Sequence, residues 1–267
     1  MMTLEEYTQA VADAVGGKAQ EVEKNGAKLW AVILPKTENI APIFYTESFL
    51  QNGYSVERMS EYIKRFEAPQ IDVNGTIKLF TDGDYSKIKP RLFVRLVNDN
   101  ASDSYIGINA GEYGFDDLRV VPYFDVNEEM SFRLAEWHID KIGLPLEQIV
   151  QDAIDNTTFN IVDLLDVMKR YCPDEDLGEE TRSMMFLVND HSAGAGAILK
   201  AKDTLEKMFP NGYIAIPSSV DEFIIVPNFE GMDEVSEEYV NSLINTVNSD
   251  MLRKEEVLSN RFYQFLK

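Results

Sequence analysis

The segment GYIAIPSSVDEFIIVP, residues 212–227, constrains what this chain can fold into more than any other. Two β-rich apolar runs, 213–216 and 223–226, flank the polar connector 217–222, with prolines that cannot donate to a ladder as brackets. The pattern reads as a β-hairpin. Alternation puts Ile214 and Ile216 on one face and Tyr213 and Ala215 on the other. We expect Ile214, Ile216, Ile224 and Val226 to contribute to a central antiparallel pair packed beneath a helix over residues 195–208.

The rest of the chain supplies helices and further strands. Thr3-Leu4-Glu5-Glu6 is a capping box, and Gly16-Gly17 closes the helix it opens. Strands are expected over 19–23 and 28–34 around the turn pair Asn25-Gly26, then over 40–45. Ser55 is an N-cap for a helix over 56–66, with Met59, Ile63 and Phe66 facing inward. Residues 76–80 suit a helical turn, and 91–97 fit either a strand or a helix start. The stretch 98–115 is rich in Asn, Asp, Ser and Gly and reads as a loop. Paired strands are expected over 118–126 and 130–139, then a helix behind Pro145 carrying Leu146, Ile149, Val150, Ala153 and Ile154. A second helix is expected from Asn160, with Ile161, Leu164, Leu165 and Met168 on one face. Further on come a strand over 184–188, the helix and hairpin above, a helix over 233–248 with Val240, Leu243, Ile244 and Val247 inward, and a last strand within 257–266.

Strands joined by short turns imply antiparallel pairing and an α+β class with two subdomains. The acidic stretch 173–180 is the expected boundary, dividing an N-terminal module, 1–172, from a C-terminal one, 181–267.

Charge narrows the function. With 46 acidic and 25 basic residues the net charge is −21, which disfavours direct nucleic-acid binding because phosphate contacts need clustered Lys and Arg. The single cysteine, Cys172, excludes an internal disulfide and suits a reducing compartment. The first fifteen residues lack the basic and apolar regions of a signal peptide, and no run approaches the about 18 apolar residues of a membrane span. The expectation is a cytoplasmic protein with no membrane partner.

Candidate chemistry is sparse. Ser218 and Ser219 invite a nucleophile reading, but no G-x-S-x-G elbow is present and turn serines commonly bond nearby backbone. Glu222 beside them is expected to hold the turn or a neighbouring basic group. His138 is read in a strand, with no second His or Cys at metal-ligand spacing. His191 lies in a polar loop and would be the partner of Cys172 in a thiolate couple. Asp82-Gly83-Asp84 and Asp174-Glu175-Asp176-Leu177-Gly178 lack the glycine and Glu spacing of a calcium loop. Residues 193–197, AGAGA, offer backbone N–H groups to an anion or simply close packing. In the loop 98–115, Tyr105 and Tyr113 stand with Ile106, Ile108 and Phe115 among adaptable polar groups, a mix seen in recognition loops and equally in loops tucked onto a core.

Several segments in order resemble a bacterial family known only as a domain of unknown function, number 5688, common in anaerobic gut bacteria. They are VEKNGAKLWAVIL (22–34), NIAPIFYTESF (39–49), GYSVE (53–57), VVPYFDV (120–126), FLVN (186–189), GAGAIL (194–199), IPSSVDEFIIV (216–226) and VLSNRFY (257–263). The family often carries His then Glu after the two serines; here Asp221 precedes Glu222, so no role for that His carries over. The resemblance implies neither a reaction nor a cofactor.

The expectation is therefore a non-enzymatic protein–protein interaction module with no cofactor and no metal. Its candidate contact residues are Ser218, Ser219, Glu222, Tyr105 and Tyr113. One alternative is an acidic inhibitor or nucleic-acid mimic of a mobile element. The other is a hydrolase using Ser218 or Cys172.

Overall fold

The structure, a computed structural model, describes residues 2–35, 41–66, 72–101, 105–127, 130–171, 185–228 and 237–266. Its contacts divide the chain into two units, Met1–Ile77 and Lys78–Lys267.

In the first unit Thr3 satisfies the end of its own helix. Its hydroxyl accepts the Glu6 N–H while the Glu6 carboxylate accepts the Thr3 N–H, a reciprocal cap for α1 (Leu4–Val15). Gly16 ends the helix in the left-handed conformation that a Cβ would strain. β1 (Lys18–Lys24) and β2 (Ala27–Ile33) follow, and the turn between them places both Asn25 and Gly26 at positive φ, as a two-residue hairpin requires. β3 (Ile43–Tyr45) pairs with β2 to complete a three-stranded antiparallel sheet. Next come the short α2 (Glu47–Gln51), which the pattern did not reveal, and α3 (Val56–Lys64), capped by the Ser55 hydroxyl. Tyr7, Val11, Val32, Met59 and Ile63 meet in a small core. Phe66 lies past the end of α3 and is exposed, not inward as expected.

α4 (Val73–Thr81) begins in the first unit and ends in the second. The second unit continues with α5 (Tyr85–Ile88), β4 (Leu92–Asn98), β5 (Ile108–Asn109), β6 (Leu118–Asn127), β7 (Met130–Arg133), α6 (Glu136–Ile142), α7 (Leu146–Asn156), β8 (Asn160–Asp163) and α8 (Leu164–Tyr171). Then come β9 (Phe186–Asn189), α9 (Ala197–Met208), β10 (Gly212–Ser219), β11 (Glu222–Pro227), α10 (Glu237–Met251) and β12 (Tyr263–Leu266). β6 pairs with β4 on one side and with β5 and β7 on the other; a second sheet runs β12-β10-β11-β9-β8. All these pairings are antiparallel, so the class is α+β. The main core joins Val94, Leu96, Val120 and Phe124 of one sheet to Val188, Tyr213, Ala215, Phe223 and Ile225 of the other, with Val150 of α7 and Ile198 and Leu205 of α9.

Four expectations are corrected. The hairpin forms, but its core face is Tyr213, Ala215, Phe223 and Ile225; of the four residues expected there, Ile214 is buried outside the main core cluster, and Ile216, Ile224 and Val226 are only half-buried. Aliphatic content favoured the wrong side because the aromatic face fills more volume against α9. Residues 136–142 are helical, so His138 sits on α6, not on a strand. Asn160 opens a strand: the β-branched pair Ile161-Val162 pairs with Val188 and Leu187, and the helix waits until Leu164. On α10, Ile244 is buried but Leu243 and Val247 are exposed. The boundary expected over 173–180 lies outside the described residues; β8 and β9, on either side of it, pair in one sheet, and the contact division falls at Ile77/Lys78 instead.

Candidate functional site

The hairpin turn is held from three sides. The Ser219 hydroxyl accepts the Asp221 N–H at 3.0 Å. The Val220 N–H goes to the Glu256 carbonyl and the Val220 carbonyl takes the Ala195 N–H. Ser218 occupies the register shift between Pro217 and Ser219, and Glu222 opens β11 opposite Ser219. No hydrogen bond among the described residues joins either serine to a histidine. This is turn chemistry, as such serines commonly show.

The glycine run is explained by packing. A Cβ on Gly194 would stand 2.6 Å from the Val220 carbonyl oxygen, and one on Gly196 2.6 Å from that of Val94. The N–H groups of Gly194, Ala195 and Gly196 are spent on Asp190, Val220 and Ala193 carbonyls, and those of Ser192 and Ala193 on the Asp190 carboxylate. Asp84 is paired with Lys87 and accepts the Ser86 hydroxyl. Residues 174–178 and Cys172 lie outside the described residues, and with them any pairing of Cys172 with His191, which is itself exposed.

His138 is closed in by rings. Trp137, Phe80 and Phe132 stand 3.6, 4.6 and 5.1 Å from it, centroid to centroid. Its Nδ1 accepts the Ala135 N–H at 2.9 Å. Burial pushes its pKa down to about 4, so at neutral pH it is an uncharged packing element.

The aromatic residues described in the loop 98–115 are tucked in. Tyr105 is 4% exposed, packed with Val97, Ala101 and Val121. Its ring carries the Arg133 guanidinium at 4.1 Å and its carbonyl accepts from Arg119. Tyr113 is half-buried against the main core, and Phe115 stacks among Phe223, Tyr263 and Phe265. The five contact residues expected from sequence are therefore not gathered into one surface: Tyr105 serves the reverse side of the β4–β6 ribbon, and the serines and Glu222 the turn.

Two other surfaces stand out. In the first unit the rings of Phe66, Phe44, Tyr62, Phe49 and Tyr54 form a continuous chain with centroid separations of 5.1, 6.4, 5.2 and 5.2 Å. Arg58 stacks on its end, 3.9 Å from the Tyr54 centroid. Tyr62 is 51% exposed, Phe66 44% and neighbouring Ile43 45%. Around them stand Glu57, Glu61, Lys64 and Arg65, all exposed. The residues were visible in the sequence, but the ring chain arises only when β3, α2 and α3 converge.

In the second unit the reverse face of β4 and β6 carries Arg95 between buried Phe93 and half-buried Tyr123, both in contact with the main core, with Arg133 opposite Tyr123 on β7. The Arg95 Nε donates to the Ser192 carbonyl at 2.8 Å, and the guanidinium lies 5.3 Å from the Tyr123 ring centroid and 6.0 Å from that of Phe93. Burial raises the Tyr123 phenol pKa despite the opposing pull of Arg95 and Arg133, so the hydroxyl stays protonated.

The chain belongs to the family of unknown function DUF5688, whose profile matches residues 3–267. No curated protein and no solved structure matches it. Among the described residues, no helix is long and apolar enough to cross a membrane.

Proposed function

We propose that this protein is a non-enzymatic interaction module of the cytoplasm whose first unit docks a basic partner protein through the ring chain Phe66–Phe44–Tyr62–Phe49–Tyr54. The continuous aromatic chain, exposed at Tyr62 and Phe66 and half-buried at Phe44, Phe49 and Tyr54, carries this reading. Its make-up, Tyr and Phe with a stacked Arg58 inside a charged rim, is the composition of interface hot spots. The rim itself mixes Glu57 and Glu61 with Arg58, Lys64 and Arg65. It is therefore the net charge of −21 over the whole chain that favours a basic partner, by long-range steering, over a second copy of like charge.

The test starts from capture with the purified protein, followed by calorimetry on each captured protein made separately. A net-basic partner should bind wild type about tenfold or more tighter than Tyr62→Ala/Phe66→Ala, since hot-spot truncations cost 2 kcal/mol or more. Its association rate should fall with added salt. Equal binding by the variant at an unchanged melting temperature overturns the docking surface. Turnover in a hydrolase and transferase screen, abolished by one polar substitution, overturns the non-enzymatic reading.

A further inference from the structure

We propose that the second unit holds a site for a compact oxyanion, a carboxylate or phosphate group, formed by the Arg95 guanidinium and the Tyr123 hydroxyl. Arg95 is fixed in place before any ligand arrives. Its Nε is committed to the Ser192 carbonyl, and one side of its plane lies over Tyr123 and Phe93. Both η nitrogens make no hydrogen bond within the described residues. No buried side-chain nitrogen or oxygen among those residues lacks a partner, so the η nitrogens are not sealed from solvent. The Tyr123 hydroxyl is in the same condition: it has no hydrogen-bond partner there, and it remains an O–H donor.

The chain makes this arrangement unusual. It has 46 carboxylate side chains against 25 basic ones, and Arg65, Arg119, Arg253 and Arg261 each sit on a carboxylate. Arg91 spends its fork on the Asp125 and Val126 carbonyls. Arg95 is half-buried yet has neither kind of partner for its η groups. The nearby Asp190 carboxylate is occupied by the Thr158 hydroxyl and the Ser192 and Ala193 N–H groups. A guanidinium presents its remaining donors in a plane that matches two oxygens of a carboxylate or phosphate. Ring stacking and the Nε bond have already removed the rotamer freedom that binding would otherwise have to remove. Tyr123 adds a donor to the same face.

The experiment follows the Arg95 Nε–H resonance by NMR while the full chain is titrated separately with succinate and with inorganic phosphate at constant ionic strength. At least one probe should shift it along a saturating, one-site curve, and the probe that saturates tells carboxylate from phosphate. For that probe, Arg95→Gln, followed through neighbouring backbone amides, should weaken binding about tenfold or more. Tyr123→Phe should weaken it about threefold to tenfold, the worth of one neutral donor. A linear, non-saturating response to both probes in the wild type overturns the site without recourse to any variant. Saturation retained unchanged in both variants overturns the assignment to Arg95 and Tyr123.

Discussion

On one face of the β4–β6 ribbon Leu92, Val94, Leu96, Val120 and Phe124 are closed over by the main core. The other face of the same two strands is closed at Phe93, Val97 and Val121, the last two under Tyr105, but carries Arg95 and Tyr123 with donors left over. Register makes this possible, because each residue step moves a side chain to the opposite face. The first face contributes to stability through buried area. The second buries area too, but its Arg95 and Tyr123 hold hydrogen-bonding capacity that contributes nothing to folding until something binds. Polar groups tell the two apart: where a face is closed, every polar group on it should be satisfied and costly to disturb, and where it is open, removal should be nearly free.

The sharpest contrast is within the hairpin. Phe223 is fully buried, in contact range of Phe115 and Tyr263 rings, whereas its neighbour Ile224 is half-buried on the reverse side. Phe223→Ala should cost about 3–5 kcal/mol, as large-to-small changes in closed cores do. Ile224→Ala should cost about 1 kcal/mol, since less area is withdrawn from water. Urea unfolding of both variants measures the gap, and equal losses would mean that both faces are closed.

His138 tests whether a closed site rejects charge. Burial holds its pKa at about 4, below the 6.5 of an exposed imidazole. The unfolded chain therefore binds a proton between pH 6.5 and 4 that the folded chain does not. Stability is at its full value above pH 6.5, declines as pH falls through that window, and loses up to about 3 kcal/mol from this group. The rings packed on it, Phe80, Phe132 and Trp137, do not titrate. Carboxylates such as Asp152, held low by Lys89, Tyr85 and Gln148 despite burial, lose their contribution at lower pH. Subtracting the pH profile of His138→Gln from that of wild type isolates the histidine; identical slopes between pH 6.5 and 4.5 would show that the site is open.

Local signals were legible from sequence wherever the chemistry was local. Thr3 with Glu6, Asn25-Gly26 and Ser55 each fix a turn or cap through their own backbone and side chain, and all three hold. The hairpin itself was equally legible, but not which side it buries: Ile224 and Ile225 are alike in hydrophobicity, and the choice belongs to the α9 residues and rings that arrive from elsewhere. His138 misled because Trp137-His138-Ile139 suits a strand by propensity, whereas His138 Nδ1 closes the first turn of α6 by accepting the Ala135 N–H. The two candidate surfaces were hidden for the same reason. Arg95 has meaning only beside Tyr123, 28 positions away in sequence yet placed near it by the β4–β6 register.

Two tyrosines give the finest test of the comparison. Tyr263 donates to the Asp117 carboxylate at 2.6 Å, and Asp117 also receives the Ser259 hydroxyl. Its hydroxyl is buried and its pKa is raised well above the ordinary phenol value, first by burial and then by that bond. Tyr263→Phe removes one of the donors that keep a partly buried carboxylate satisfied, so it should cost about 2 kcal/mol, in the range for hydrogen bonds to charged groups. Tyr123→Phe removes a hydroxyl that bonds to nothing within the described residues while keeping the ring under Arg95. Its effect on stability should stay within about 0.5 kcal/mol, because the ring stays packed and no hydrogen bond is lost. Chemical unfolding of both variants, measured without added anions, decides the matter. A Tyr123→Phe loss as large as that of Tyr263→Phe would show that the hydroxyl already has a partner, and the Arg95–Tyr123 part of the reverse face would then be as closed as the rest.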